Sequence, residues 1–328
     1  MEVRYVDDDG IRLEQPSASL DTATGTSTGG FYWVDIPEWS TEAEEFLRDL
    51  GCHEMELELC RSRNHVPTVH AYTDHVFITT QSPLLGKAGH VHLLELDQII
   101  GRDYLVTVHG PLNPVVELHE AMVETDSVLR RLESGRFRPA TPHELSFAVT
   151  SAVARRQRGL INQVAEKLPG LEQQVMSSRL TNPEALLERM FLIRHELITT
   201  RTMAAQCYDV WARMAGLSHL PDENARQYLR DLADQFERVR SIADGESHFL
   251  FGVIELYQTK VNTKMTVAME RLAVIAAVTL PITAIASIEG MNMIVAVREN
   301  FIELTVVLAI MAVMSFWVLR WARKQGWW

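Results

Sequence analysis

Cysteine is scarce in this chain, and positive charge is outnumbered. Only Cys52, Cys60 and Cys207 occur in 328 residues. An odd number without tight spacing excludes a disulfide framework. They read as reduced, partly buried thiols of a domain facing the cytosol, since oxidising compartments favour paired cysteines. Lysine and arginine number 31 against 43 acidic residues, for a net charge of −12. That balance argues against nucleic-acid binding, which needs clustered basic charge to displace counterions. The opening MEVRYVDDDG is acidic with no apolar core behind it, and does not read as a signal peptide. No phosphate loop, nucleophile elbow or paired catalytic motif occurs, so neither an enzyme nor a cofactor is expected. Long apolar runs are missing as well, until residue 272.

From there the composition changes. LAVIAAVTLPITAIASI, Leu272 to Ile288, carries no charge, and neither does LTVVLAIMAVMSFWVL, Leu304 to Leu319. Each is about one bilayer core long with its edge residues. One such run could be a buried core helix, but two in succession read as a membrane hairpin. Arg320, Arg323 and Lys324 follow the second run, among Trp317, Trp321, Trp327 and Trp328 as interfacial aromatics. Arg298 is the only positive charge between the runs. Positive residues favour the cytoplasm, so both termini are expected inside and the connecting loop outside.

The remainder predicts an α+β architecture in three parts. Residues 1–138 alternate strand-like and helix-like patterns, an α/β domain. FYWVDI reads as a strand, and STEAEEFLRDLG as a short helix with Thr41 and Glu44 as a capping box and Gly51 as its stop. VHAYTDHVFITTQ and HVHLLELDQIIGRDYLVTVH are β-rich, with a turn at Gly101-Arg102-Asp103. Pro111 and Pro114 open a helix that ends near Gly135. Residues 139–270 become helical, with expected breaks at Pro169-Gly170 and at Thr181-Asn182-Pro183. From Asp222 no proline occurs until Pro281. One helix from there to Gly290 would be on the order of 100 Å long. It carries the stripe Leu229, Leu232, Phe236, Val239 and Ile242. A helix of that length is expected to need partners outside its own domain, most economically copies of itself. Residues 271–328 form the transmembrane hairpin and its basic tail.

Two spans suffice for a pore if several chains share an axis. Thr266, Met269, Leu272 (or Ala273), Ala276, Leu280, Thr283 and Ser287 follow helical spacing on the first span and are candidate pore-lining residues. A helix packed by small residues against its neighbours would look the same. Pro281 either bends the span for function or only bends it.

Between the runs stands Gly290-Met291-Asn292, at the outer end of the first span. In that place it resembles the Gly-Met-Asn signature of the CorA family of magnesium channels and transporters. LPITAIASIEGMN looks like the family's first span, and RWARKQGWW is similar to its basic, tryptophan-containing tail. YLRDLAD and ELYQTKVNTKM resemble stalk segments, in register with the motif without a gap. The likeness covers nearly the whole chain. It implies a funnel-shaped homopentamer, multi-pass in the plasma membrane, passing Mg2+ or another divalent cation down the membrane potential. It implies that Gly290, Met291 and Asn292 form the outer selectivity ring. It also implies magnesium sensing at subunit contacts, where Asp231 matches the family's sensor aspartate and Glu255 falls where the family also has an acid. A solvated helix face explains both acids equally well.

The chain also departs from the pattern. Glu289 stands where the family commonly has tyrosine, and MIVAVREN lacks the usual acidic loop, so Glu289 is a candidate for outer cation attraction. Thr266 stands where asparagine is frequent, and Lys87 and His90 where an acid is expected. His65, His70 and His75, and His90 with His92, raise zinc or nickel as rivals. Their spacing matches no known zinc site, and ordinary packing or surface roles are expected. The expectation is thus a magnesium channel. The alternatives are a zinc, cobalt or nickel transporter of the same family, and a non-conducting, membrane-tethered scaffold with the same fold.

Overall fold

The central strands of the first 110 residues are buried on successive positions, which builds a sheet covered on both faces. The computed structural model describes residues 1–14, 29–62, 66–86, 89–111, 113–177, 182–216, 223–290 and 301–326. These fall into two compact units, Met1–Gly252 and Val253–Trp328.

The first unit holds seven strands: β1 (Glu2–Asp7), β2 (Gly10–Glu14), β3 (Phe31–Ile36), β4 (Thr68–Ala71), β5 (His75–Leu85), β6 (Val91–Gly101) and β7 (Tyr104–His109). Their order across the sheet is β2-β1-β3-β7-β6-β5-β4. Only β3 and β7 pair in parallel, Tyr32 opposite Tyr104 through Ile36 opposite Val108. The acidic DDDG is the turn of the β1–β2 hairpin. Asp7 Oδ1 accepts from the amides of Asp9 and Gly10 at 2.9 and 3.1 Å. Gly10, with φ +139°, supplies a conformation that side chains rarely adopt. The expected turn at Arg102-Asp103 joins β6 to β7.

Neighbouring residues of one strand feed opposite cores. Phe77, Ile99 and Val106 belong to one cluster with Phe46 and Leu47. Ile78, Ile100 and Leu105 belong to the other, with Leu145, Val149, Trp211 and Phe236. The first is capped by α1 (Thr41–Asp49) and α2 (Glu54–Arg61). The second is capped by α4 (Val123–Glu133), α5 (Pro142–Met176), α6 (Pro183–Ala215) and the start of α7 (Glu223–Gly290). The sheet also carries buried polar seams. Trp33 Nε1 donates to Thr107 Oγ1 at 3.1 Å, and Thr107 donates to Asp35 at 2.6 Å. Thr79 Oγ1 donates to Asp97 Oδ1 at 2.6 Å.

Several local expectations are corrected. The N-cap of α1 is Ser40, whose side chain accepts from the Ala43 amide; Thr41 is already inside the helix. A reciprocal capping box stands instead at α2, between His53 and Glu56. Pro111 and Pro114 lie ahead of their helices: Asn113 Oδ1 accepts from the Val115 amide, and α3 (Leu118–Ala121) starts only after that turn. Pro169 does not end α5. The helix runs through it to Met176, because Leu168, Leu171 and Val175 on either side are buried. That packing outweighs an interior proline's cost of about 3 kcal/mol. Asn182 does cap α6, accepting from the Ala185 amide, with Pro183 at its first turn.

The long helix is present as 68 continuous residues, α7. At 1.5 Å per residue this is roughly 100 Å. Its early stripe finds partners inside its own unit, contrary to expectation. Leu229, Leu232 and Phe236 join the second core, and Val239 packs with Ile161, Ala204 and Ala243. Ile242, placed on the stripe by spacing, is exposed; Ala243 takes the buried position. A second apolar helix, α8 (Phe301–Lys324), follows α7.

Candidate functional site

The sequence of α7 changes character along its length while the helix stays unbroken. After Arg271 its side chains are uncharged up to Ile288, and α8 is uncharged from Leu304 to Leu319. Both helices hold a stretch long and apolar enough to cross a membrane, and almost none of either stretch is buried. Leu272 and Leu280 are 65% and 68% exposed, and Ile302 and Trp317 of α8 are 76% and 67% exposed. Large exposed apolar surface of this kind is stable only against lipid or other protein.

In the second unit α7 carries Thr266, Met269, Leu272, Ala273, Ala276, Leu280, Thr283 and Ser287, all exposed. With Leu272 and Ala273 as alternatives at one step, their spacing of three and four keeps them on one stripe. The two threonine hydroxyls are satisfied within the helix. Thr266 donates to the Asn262 carbonyl at 3.0 Å, and Thr283 to the Thr279 carbonyl at 2.8 Å. Such back-bonding is how a threonine is tolerated at membrane depth. The Thr283 bond sits one turn around Pro281, where the ring removes a backbone donor. The stripe thus offers apolar surface with hydroxyl oxygens at intervals and no charge, a surface a hydrated ion can pass without being held.

The helix ends at Gly290, the first residue of the tripeptide. Met291 and Asn292 lie outside the described residues, as do Arg298, His65, Lys87, Trp327 and Trp328. Glu289 lies in the last turn of α7, with its side chain outside the described set. Asp231 and Glu255 are exposed on α7, Asp231 in the first unit and Glu255 in the second. The basic end of α8 carries Arg323 and Lys324 in its last turn, with Trp321 half exposed before them.

The histidines separate. His70 lies 3.2 Å from the Thr68 hydroxyl, and His90 is exposed beside the His195 ring at 6.3 Å. His92 faces Gly86 on β6. His75 alone of these is buried. It sits beside Glu56 and Cys52, a grouping that spacing did not show because the three come from a loop, a helix and a strand.

Comparison with known proteins gives a consistent result. A family model described as CorA-like Mg2+ transporter protein matches residues 28–324. The chain is 23% identical over 323 residues to the cobalt/magnesium transport protein CorA of Thermotoga maritima, covering 95% of this chain and 85% of that one. The complete structure of the CorA magnesium transporter of Methanocaldococcus jannaschii superposes with a TM-score of 0.81 at 15% identity, covering 100% and 99%. The ZntB cytoplasmic domain of Vibrio parahaemolyticus superposes at 0.62 with 8% identity, covering 80% and 98%.

Proposed function

Since this chain belongs to the CorA family of metal-ion transporters, we propose that it is a passive Mg2+ channel of the plasma membrane. As a family member it is a membrane transporter of divalent cations and not an enzyme. The observation that carries the finer reading is the continuity of α7. One helix leads from the folded N-terminal unit through an exposed, uncharged stripe to Gly290.

In this reading five copies surround an axis, with α7 lining it and α8 outside. Asn292, the Met291 and Gly290 backbone and their copies present neutral oxygens to an arriving ion. Mg2+ gives up water reluctantly, so it is recognised through its water shell. Amide oxygens hydrogen-bond that shell; carboxylates in their place would grip the ion, and a conducting site must also release it. Gly290 permits the close chain reversal. Glu289, one position before the motif, adds negative charge that draws cations to the mouth. With the termini inside, entry is downhill: a dication crossing 100 mV gains about 4.6 kcal/mol. Exposed Asp231 and Glu255 supply the oxygens by which internal Mg2+ bridges neighbouring copies and holds the pore shut. When internal Mg2+ falls, their mutual repulsion loosens the ring.

A second reading, transport of cobalt, nickel or zinc, is favoured by the Thermotoga relative, whose name joins cobalt to magnesium. One experiment tests both. The purified protein in proteoliposomes at inside-negative potential takes up Mg2+, and Asn292→Ala loses most of that uptake. Zinc, cobalt or nickel at trace level leaves it little changed. Strong block by a trace transition metal that is itself taken up moves the assignment to the second reading. A well-formed oligomer that passes none of these ions overturns both and leaves a membrane-tethered scaffold.

A further inference from the structure

The first compact unit holds a group of metal-ligating side chains that transport does not use. Gly51, with φ +91°, ends α1 and turns the chain, and the Cys52 amide bonds back to the Leu47 carbonyl at 3.0 Å. Cys52 thereby faces the first turn of α2, where Glu56 lies four residues on. The sheet brings His75, the first residue of β5, onto the same spot. Cys52 Sγ, a Glu56 carboxylate oxygen and a His75 ring nitrogen all lie within 4.8 Å of one another. Their residues are 8%, 0% and 5% exposed, so water barely reaches them.

The surroundings hold each group in a ligand's posture. Glu56 Oε2 accepts from the His53 amide at 2.7 Å, which fixes the carboxylate with both oxygens on His75 Nε2, Oε1 at 3.0 Å and Oε2 at 3.1 Å. His75 Nδ1 lies 2.9 Å from Asp74 Oδ1, and the Tyr72 ring stacks on the imidazole at 4.8 Å and 15°. A carboxylate on the far nitrogen is the usual support of a metal-bound histidine, because it orients the ring and raises its basicity. In a tetrahedral zinc site with these donors the ligand atoms stand about 3.3–3.6 Å apart. Cys52 has to move in by about an ångström from the outer limit of 4.8 Å, and the His75–Glu56 pair opens by a few tenths of an ångström.

We propose that Cys52, Glu56 and His75 bind one thiophilic divalent ion of the zinc, cobalt and nickel class, with water as the fourth ligand. The donor set decides the class. Thiolate and imidazole suit these ions, whereas Mg2+ takes oxygen ligands in octahedral array. Charge also balances: thiolate and carboxylate neutralise the dication, so the occupied site buries no net charge. On binding, the Cys52 thiol proton and the His75 Nε2 proton leave to solvent. The other proton stays on Nδ1, donated to Asp74 Oδ1.

Cobalt reports this site separately from any transport path. All three cysteines lie in the first unit and none in α8 or the apolar part of α7, so a Co2+ ion in a pore meets no thiolate. Metal-stripped, reduced, full-length protein in detergent is titrated with Co2+ alone. The expected result is a sulfur-to-cobalt charge-transfer absorption in the near ultraviolet, saturating at one ion per protomer. It is reversed by Zn2+ and untouched by millimolar Mg2+. Cys52→Ser abolishes it, Cys60→Ser and Cys207→Ser keep it, and Asp74→Asn weakens the affinity about tenfold. Absence of the band from wild-type protein overturns the proposal. So does a band that survives in a Cys52→Ser protein with an unchanged circular dichroism spectrum. Either result leaves the uptake assay unaffected.

Discussion

Asp97 is wholly buried on β6, a strand with neighbours on both sides. Burial pushes its carboxyl up to about 7, against the opposing pull of the Thr79 and Cys60 hydrogen bonds and of His109. An unfolded chain releases that proton near pH 4. Between about pH 4 and 7 the folded state therefore holds a proton that the unfolded state has lost. Stability falls as pH rises through that window, and the full cost persists above it. Asp97→Asn keeps an acceptor for Thr79 and removes the ionisation. Its thermal midpoint is expected to exceed that of the wild type at pH 8, with the gap closing as pH falls toward 4. A gap that does not change with pH rules this out. Nothing in the primary structure marks Asp97 apart from its strand neighbour Glu95. The difference is how deeply the sheet buries it.

α7 is one helix with two jobs, and a pair of substitutions tells them apart. Phe236 is fully buried among helices of its own chain, whereas Ile242 is 38% exposed. Phe236→Ala should cost about 3–5 kcal/mol through lost burial and a cavity. Ile242→Ala should stay within about 0.5 kcal/mol. Denaturant unfolding of the detergent-solubilised protein measures both. Equal losses would show that the stripe is not docked as described. The spacing of Leu229, Leu232, Phe236 and Val239 was legible as an apolar face, but what covers that face was not. Periodicity reports that a face is buried and not which element buries it. The same limit explains Pro169. Its local signal is a break, and the burial of Leu168 and Leu171 overrides it.

At the scale of the molecule, α8 and the part of α7 beyond Arg271 expose apolar surface in a single chain. In a shared-axis pore, lipid covers it on one side and copies of the chain on the other. Native mass spectrometry of the protein in mild detergent is expected to give five copies. A monomer that still takes up Mg2+ would sink the shared-axis pore. Residue types set the terms of assembly. The stripe from Thr266 to Ser287 holds small residues and hydroxyls that permit close approach, and α8 places Arg323 and Lys324 in its last turn.

The sequence by itself determined the features that rest on local rules. Two uncharged runs, the proline-free stretch up to Pro281, the β-rich segments and the Gly-Met-Asn tripeptide are all readable along the chain. Hydropathy, helical period and turn chemistry act between near neighbours. The two apolar helices, the long α7 and the β6–β7 turn followed from them, and the family from the resemblance of the motif and its flanks. Tertiary structure alone decided what depends on distant partners. Ser40 caps α1 where Thr41 fitted the pattern, and α7 docks against α5 and α6 before it reaches its apolar part. Asp97 becomes a group that titrates near neutrality. Cys52 and Glu56 were readable as neighbours four residues apart. His75 joins them only because β5 is laid beside β6 at the register that starts with His75 opposite Gly101. Side chains far apart in sequence meet through the packing of whole elements, and no local pattern carries that information.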